Sequence, residues 1–573
     1  MVRKVAEARR SQMVTTYGVG ALFPARDESF MLLGTDDWTE SQCPEVTEPR
    51  LARSMEVRTF RMPPSRGKKD LPVVRFPRMF HCPKCHRLGR LNDFCGWDGN
   101  ECDRCQRTLV PSRFVICCPG GHIDDFPYSA WVHKGERPDA DKSHQLFLRT
   151  RGQSSSLGDI VISCSCGAPG RSLAGSFSPQ ALIGISKCWG NRPWLRGAAA
   201  DTCDQTPRTL QRGASNVWFA SVRSAISIPP WSEGAHRTIN KYWPMVQHIP
   251  AAALAATLVG MDMDKEAGVE VDDLVQAILV MRGEASDEIP DDADLRADEY
   301  GALVKGRPEK DPRQQFVCTR VEGLPDEANR LLTQVSEVAR LREVRALQGF
   351  TRVTPWSEGE EGNRVAPLTA QKPTWLPAIE VLGEGVFFQI DETALATWEA
   401  GDFAKSRAKA IEEAYRIRAE AMGVPHVKRI GPRELLLHSL AHALLTELSL
   451  DAGYPVASLR ERVYSKEGQA GILIYTASAD SAGSLGGLAA QSRADRVWPL
   501  VLSATRRARW CSSDPVCIET VSGGADALNL AACHACQLLP ETSCELANRE
   551  LDRACLVGLP DRPEDGFLNS FVD

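Results

Sequence analysis

The stretch that decides the architecture is residues 82–105, CPKCHRLGRLNDFCGWDGNECDRC. Two cysteines separated by two residues turn both thiolates toward one ion from a tight knuckle. A second such pair then completes a tetrahedron with metal–sulfur distances of about 2.3 Å. Cys82-Pro-Lys-Cys85 and Cys102-Asp-Arg-Cys105 are such a pair of pairs, and the gap between them suits a zinc ribbon. Four sulfur ligands leave no position for water, so the spacing predicts a structural ion and not a catalytic one. Cys95, between the knuckles, reads as a bystander.

Working outward, seventeen of the nineteen cysteines fall into three clusters, and only Cys43 and Cys318 stand apart. Reduced, clustered cysteines bind metal more often than they pair. The second cluster holds Cys117, Cys118, His122, Cys164, Cys166, Cys188 and Cys203. Its expected ligands are Cys164, Cys166, Cys188 and Cys203, with Cys118 and His122 as replacements. The third holds Cys511, Cys517, Cys533, Cys536, Cys544 and Cys555; Cys533-His-Ala-Cys536 is a true knuckle and Cys544 an alternative to Cys511. Two to three zinc ions are expected in all.

A chain of 573 residues exceeds one hydrophobic core, and 43% apolar with 25% charged residues is an ordinary globular balance. The reading is α+β and multidomain, with several structural zinc sites. An N-terminal arm covers 1–45, a zinc-ribbon domain 46–130 and a second cysteine-rich, β-containing domain 131–282. An acidic linker (283–312), an α/β connecting domain (313–430) and a C-terminal zinc-binding domain (431–573) complete it. Gly18 and Gly20 suggest a turn between two short strands. Residues 211–231 read as a strand ended by Pro229-Pro230, and the proline-rich 62–80 is not helical. Residues 326–347 and 403–422 show apolar residues at helical spacing. TWLPAIEVLGEGVFFQIDE (374–392) reads as strand–turn–strand with GEG at the bend. A helix from Pro432 carries leucine on nearly every face and is expected to be buried, and GILIYT (471–476) is an apolar strand. The N-terminus has no signal-peptide core, and the apolar residues 250–261 are far shorter than the ~20 a bilayer span needs. A cytoplasmic protein without membrane contact or small-molecule substrate is expected.

Several chemistries are missing from the sequence. There is no G-x-x-x-x-G-K-[ST] phosphate cradle, and the glycine-rich run Gly483–Gly487 lacks the following lysine. His438 and His442 share one helical face at zincin spacing, but Ser439 stands where the general-base glutamate belongs, and flanking Leu435 and Leu445 suggest imidazoles satisfied in a core. His122, Asp124 and Asp125 form the best acid–base cluster, which leaves open a nuclease whose site forms only in a complex. The expectation is that this chain is not an enzyme. Net charge is −6, yet residues 50–90 hold twelve Lys/Arg against Glu56 and Asp70. Arg58, Arg61, Arg66, Lys68 and Lys69 are the leading candidates there for sequence-independent phosphate contacts, with Arg50, Arg53, Arg75 and Arg78 behind them.

The C-terminal third, from HSLAHALLTELSLDAGYPVASLRERVY through CSSDPVC to AACHACQLLPETSCELANRELDR, resembles the MrfA-like zinc-binding domain of bacterial repair helicases. With RRSQMVTTYGVGAL, the CPKC…CDRC ribbon, CCPGGHIDDFPYSAWVH and QRGASNVWF, the whole chain resembles the DrmB family of DISARM anti-phage defence subunits. The resemblance implies that Cys511, Cys517, Cys533 and Cys536 bind zinc. It also implies a helicase-like partner, DrmA, that supplies ATPase activity and catalysis, with DNA bound through the complex. An accessory subunit of a repair helicase is the alternative.

Overall fold

Short strands and long loops dominate the first half of the chain, whereas the last third is built on helices. The computed structural model describes residues 4–571 apart from 65–69, 96–98, 152–155, 234, 283, 285–288, 311, 313, 356–364, 423–427, 477–485 and 525–526. The chain divides into two units. The first comprises Met1–Val46, Val57–Arg223 and Arg345–Ile379, and the second Thr47–Glu56, Ser224–Val344 and Glu380–Asp573.

In the first unit a six-stranded sheet runs in the order Arg171–Ser172, Ile160–Cys164, Leu146–Thr150, Arg87–Arg90, Met79–His81, Val110–Pro111. A three-stranded sheet places Phe114–Cys117 between Ile123–Asp125 and Arg208–Gln211. Phe114, Phe126, Tyr128, Trp131, Leu146 and Ile162 are buried together, and around the ribbon Phe80, Phe94 and Leu109 pack on Cys82 and Cys102 themselves. A hairpin of Leu22–Ala25 and Glu28–Leu32 turns at Arg26, whose φ is +56°. That turn lies beyond the glycines expected to make it. Gly20 instead has φ +78°, and an added Cβ would meet the Phe350 ring at 2.5 Å.

The second unit is organised on the helix Pro432–Ala452. Leu435, Leu436, Leu437, Leu440, Leu444, Leu445 and Leu448 are all buried, as the sequence predicts. Each such leucine contributes about 1.5–3 kcal/mol when fully withdrawn from water. The helix packs with Ala494–Ala508 and with the antiparallel strands Leu459–Tyr464 and Gly471–Thr476. Asp402–Met422 is helical, and four helices between Ala235 and Arg282 enclose a smaller apolar cluster that includes Ile239, Leu254, Leu258 and Leu274.

Three further expectations are overturned. Residues 326–347 form one turn of helix, Asp326–Asn329, and then the strand Leu332–Thr351. Leu332, Val335, Val338, Leu341 and Val344 recur every three residues and imitate a helix, but the chain is extended, and Gln334, Ser336, Arg342 and Glu343 are buried between them. Arg342 pairs with Glu380, and Glu343 with Arg460 and Arg462. The GEG segment is the interior of one strand, Trp375–Ile390. Gly383 and Gly385 are there because a neighbouring strand approaches closely: an added Cβ would meet Thr476 O at 2.5 Å and Ile474 O at 2.4 Å. The acidic linker contains the helix Asp292–Lys305, started by an Asp291/Asp294 capping box, with Leu295, Tyr300 and Leu303 buried. Part of the acidity is N-terminal capping, and Glu299 is a buried partner of Arg462 at 2.8 Å.

Candidate metal centres

The two ribbon knuckles fold alike. The amide of His86 donates to Cys82 O and that of Gln106 to Cys102 O, both at 2.9 Å, and His86 and Gln106 both take positive φ. Cys82 N donates to Arg87 O and Cys102 N to Arg107 O, again at 2.9 Å. The repeated turn points four sulfurs inward; Cys85 Sγ and Cys102 Sγ lie 3.8 Å apart. A tetrahedron with Zn–S bonds of about 2.3 Å has edges of about 3.8 Å, so this donor set fits zinc. Arg87 bridges the knuckles through Asp103 at 2.7 Å. Cys95 is outside the set; its sulfur faces Leu91 O.

Cys511, Cys517, Cys533 and Cys536 form an equivalent set. Cys511 and Cys533 are 3.4 Å apart, Cys517 and Cys536 3.6 Å, and Cys533 and Cys536 3.7 Å. The amides of Ser513 and Ala535 donate to Cys511 and Cys533 at 3.4 Å. The Cys533 thiol is brought down to about 7 because such hydrogen bonds outweigh its burial.

The middle cluster is not one site. The expected set Cys164, Cys166, Cys188 and Cys203 is divided between two separate groups, because Cys164 and Cys166 end one sheet strand while Cys188 and Cys203 lie in loops beside another sheet. Cys188 and Cys203 join Cys118 and His122: Cys118 is 3.6 Å from Cys188 and 3.9 Å from Cys203, and His122 Nδ1 is 3.4 Å from Cys118. Cys164 and Cys166 join two histidines absent from the sequence reading. His144 Nδ1 is 3.4 Å from Cys164 and His133 Nε2 is 3.4 Å from Cys166. A nitrogen–sulfur edge of a zinc tetrahedron is about 3.6 Å, so both sets fit as well. The Cys166 thiol is pulled down to about 6, chiefly by His133 and then by the Ala168 amide.

The histidines carry a further sign. The nitrogen of each that faces away from its cluster meets an acceptor: His122 Nε2 the carboxylate of Asp201 at 3.1 Å, His133 Nδ1 the carbonyl of Ser129 at 2.7 Å, and His144 Nε2 the carbonyl of Asp139 at 2.6 Å. An acceptor there must be met by N–H, which leaves the lone pair of the other nitrogen aimed at the cluster. This is the outer-shell arrangement that orients metal-bound imidazole. Arg352 adds a charge argument. It is fully buried and donates to the carbonyls of Gly121 and Gly20 at 2.9 Å and of Val217 at 2.5 Å, none of them anionic. Burial draws its pKa down to about 10, opposed by Cys117 and Cys118. A Cys3His zinc site beside it would carry one net negative charge.

By contrast, burial pushes Cys117 and Cys318 up to about 12, the behaviour of neutral core thiols. Cys555 is raised by burial and by Asp552. Cys544, the alternative to Cys511, is not with the C-terminal four. It sits in a fifth group with His438, His442 and Glu461, each group having its ligand atoms within 4.8 Å of one another.

The other candidate residues are engaged elsewhere. Arg78 holds Asp124 at 2.7 Å and Asp125 at 3.1 Å, and Asp125 also accepts from the amides of Arg78 and Met79. Those carboxylates clamp the backbone and side chain of Arg78. In the glycine-rich loop the amides of Gly486, Leu488 and Ala489 donate to the buried carboxylate of Glu384, so that nest already holds an anion from its own chain. Within the basic stretch, Arg50 reaches Glu48 and Ile226 O, Arg61 pairs with Glu40 at 2.8 Å, and Arg75 with Glu28 at 2.7 Å. Arg58 is exposed, whereas Arg66, Lys68 and Lys69 lie outside the described residues. Among the described residues no helix is long and apolar enough to cross a membrane.

Fold and donor sets together define an α+β protein of several closed Cys/His centres, with the last one set into a C-terminal helical region. The family model of the MrfA Zn-binding domain matches residues 440–537, and a domain family of unknown function, DUF8724, matches residues 9–219. The DISARM protein DrmB of Bacillus paralicheniformis is 30% identical over 567 residues, covering 95% of this chain and 99% of the relative. The chain belongs to the DrmB family of DISARM proteins.

Proposed function

We propose that the chain is a non-catalytic scaffold subunit of a DISARM complex, that four of its Cys/His centres hold zinc, and that it pairs with a helicase-like ATPase subunit and helps bind foreign DNA. The observation that carries the reading is closure. Each of these donor sets already has four protein ligands, so a zinc bound there has no open position for water or substrate. The engaged states of Asp124, Asp125 and the Gly486–Ala489 amides count against a nuclease or nucleotide site. An exposed apolar rim beside the C-terminal cysteines supports a protein partner: Trp510, Val516 and Val521 are 71%, 76% and 72% exposed. Tryptophan is enriched at interface hot spots. A cleft of about 640 Å³ lined by Arg509, Asp514, Ile518, Leu559 and Asn569 adjoins the same cysteines in sequence.

DNA contact is assigned to Arg58 and the 66–69 segment, because the other arginines named above have internal partners. The purified chain, alone and with its helicase-like partner, is to be titrated with duplex and overhang DNA at several salt concentrations. The reading expects a logarithmic salt slope that falls by about 1 for each phosphate contact removed, as in Arg58→Ala. ATP hydrolysis by the isolated chain, or no DNA binding in either form, would overturn it.

A further inference from the structure

The His438–His442 pair sits in the leucine-rich helix Pro432–Ala452, where satisfied core imidazoles are expected. Both rings are buried, but they do not face an apolar wall. His438 Nε2 lies 3.0 Å from Glu461 Oε1 and 3.2 Å from Cys544 Sγ, and His442 Nε2 lies 3.3 Å from the same carboxylate. All four residues are at most 5% exposed. They come from three places in the second unit: the helix, the strand Leu459–Tyr464 and the loop carrying Cys544.

The far sides of the rings determine what the near sides can do. His438 Nδ1 meets Glu550 O at 3.1 Å, and His442 Nδ1 meets Gln537 O at 2.7 Å. A carbonyl only accepts, so both Nδ1 atoms carry hydrogen and both neutral rings turn a lone pair inward. The carboxylate is acceptor-only, and a thiolate is as well. Glu461 Oε2 has no hydrogen-bond partner among the described residues, although it lies 3.3 Å from His442 Nε2. Four acceptors therefore converge on one buried point. Charging both imidazoles, whose centroids are 4.6 Å apart, is one way to supply donors, but it sets two like charges side by side. One divalent cation satisfies all four acceptors, and two neutral imidazoles, a carboxylate and a thiolate balance its charge.

We propose that His438 Nε2, His442 Nε2, Glu461 and Cys544 form a fifth metal centre, a closed tetrahedral site for a divalent cation of zinc's class, which ties the central helix to the strand and the C-terminal loop. Nitrogen, oxygen and sulfur donors in one tetrahedral set suit zinc better than calcium or magnesium, which prefer all-oxygen shells. The centre is structural. Ser439, in the place of a zincin's glutamate, donates to Leu435 O at 2.8 Å and accepts from the amide of Asp552, so that position offers no general base.

The test is metal counting on the full-length chain by native mass spectrometry, with anomalous diffraction at the zinc edge of the wild type. Glu461→Gln and Cys544→Ser are each expected to lower the count by one relative to wild type; an unchanged count overturns the proposal. If the variants fail to fold, the wild-type map decides, with an anomalous peak among the four ligand atoms supporting the site and its absence overturning it. Peaks at the other four centres without a fifth would sink this proposal alone, whereas the absence of those four would sink the scaffold reading.

Discussion

The ribbon at residues 82–105 and the centre at Cys118, His122, Cys188 and Cys203 use nearly the same chemistry to opposite ends. In the ribbon the outermost ligands are 23 residues apart, and the loop they close contains little besides the knuckles. In the other, Cys118 and Cys203 are 85 residues apart and the ligands come from three separate segments. The first organises its own loop. The second holds distant stretches of a unit whose strands are short. Closing the longer loop removes more entropy from the unfolded chain, by about 1 kcal/mol on logarithmic scaling, and more tertiary structure depends on it.

Removing one ligand from each centre is the strongest way to break that comparison. Cys188→Ser and Cys85→Ser are each expected to lose one metal ion, but Cys188→Ser should also lower the unfolding midpoint of the whole first unit and expose its segments to protease. Cys85→Ser should increase cleavage mainly within residues 82–105. Limited proteolysis read by mass spectrometry separates the two outcomes, and equal, local cleavage in both variants would remove the distinction.

A smaller effect is expected one step further out. Asp201→Asn leaves all four ligands of the distributed centre in place but weakens the partner that orients His122. Metal affinity there should fall about 10–100-fold, as for other outer-shell changes, while the ribbon, whose four ligands are all cysteines, is unaffected. Chelator competition with metal-sensitive dyes reports both. Cys117→Ala, next to a ligand but itself a neutral core thiol, should release no metal.

The same contrast explains what could be read from the sequence. Cys82, Cys85, Cys102 and Cys105 are legible because a knuckle is a local object and two-residue spacing is its signature. The distributed centres have no such signature. Cys164 and Cys166 looked like partners of Cys188 and Cys203 because sulfur is conspicuous, whereas His133 and His144 are ordinary residues until a fold brings them together. For the buried histidine pair a signal did exist. Glu461 stands two residues from Leu459, on the same face of the strand Leu459–Tyr464, and a carboxylate in an apolar register requires a partner. The long strand Leu332–Thr351 resembles a helix for a related reason: buried Arg342, Glu343 and Arg345 break the alternation that marks a strand. The leucine helix and the strand Gly471–Thr476 were legible because they bury apolar side chains nearly throughout.

The most direct test of the claim that distributed Cys/His sets hold metal as the knuckles do is the number of metal ions per chain in the purified full-length protein, measured by elemental analysis against amino-acid quantification. The account predicts five. Four would remove only the His438–His442–Glu461–Cys544 centre, and a value near two, the number of all-cysteine sets, would contradict the central claim.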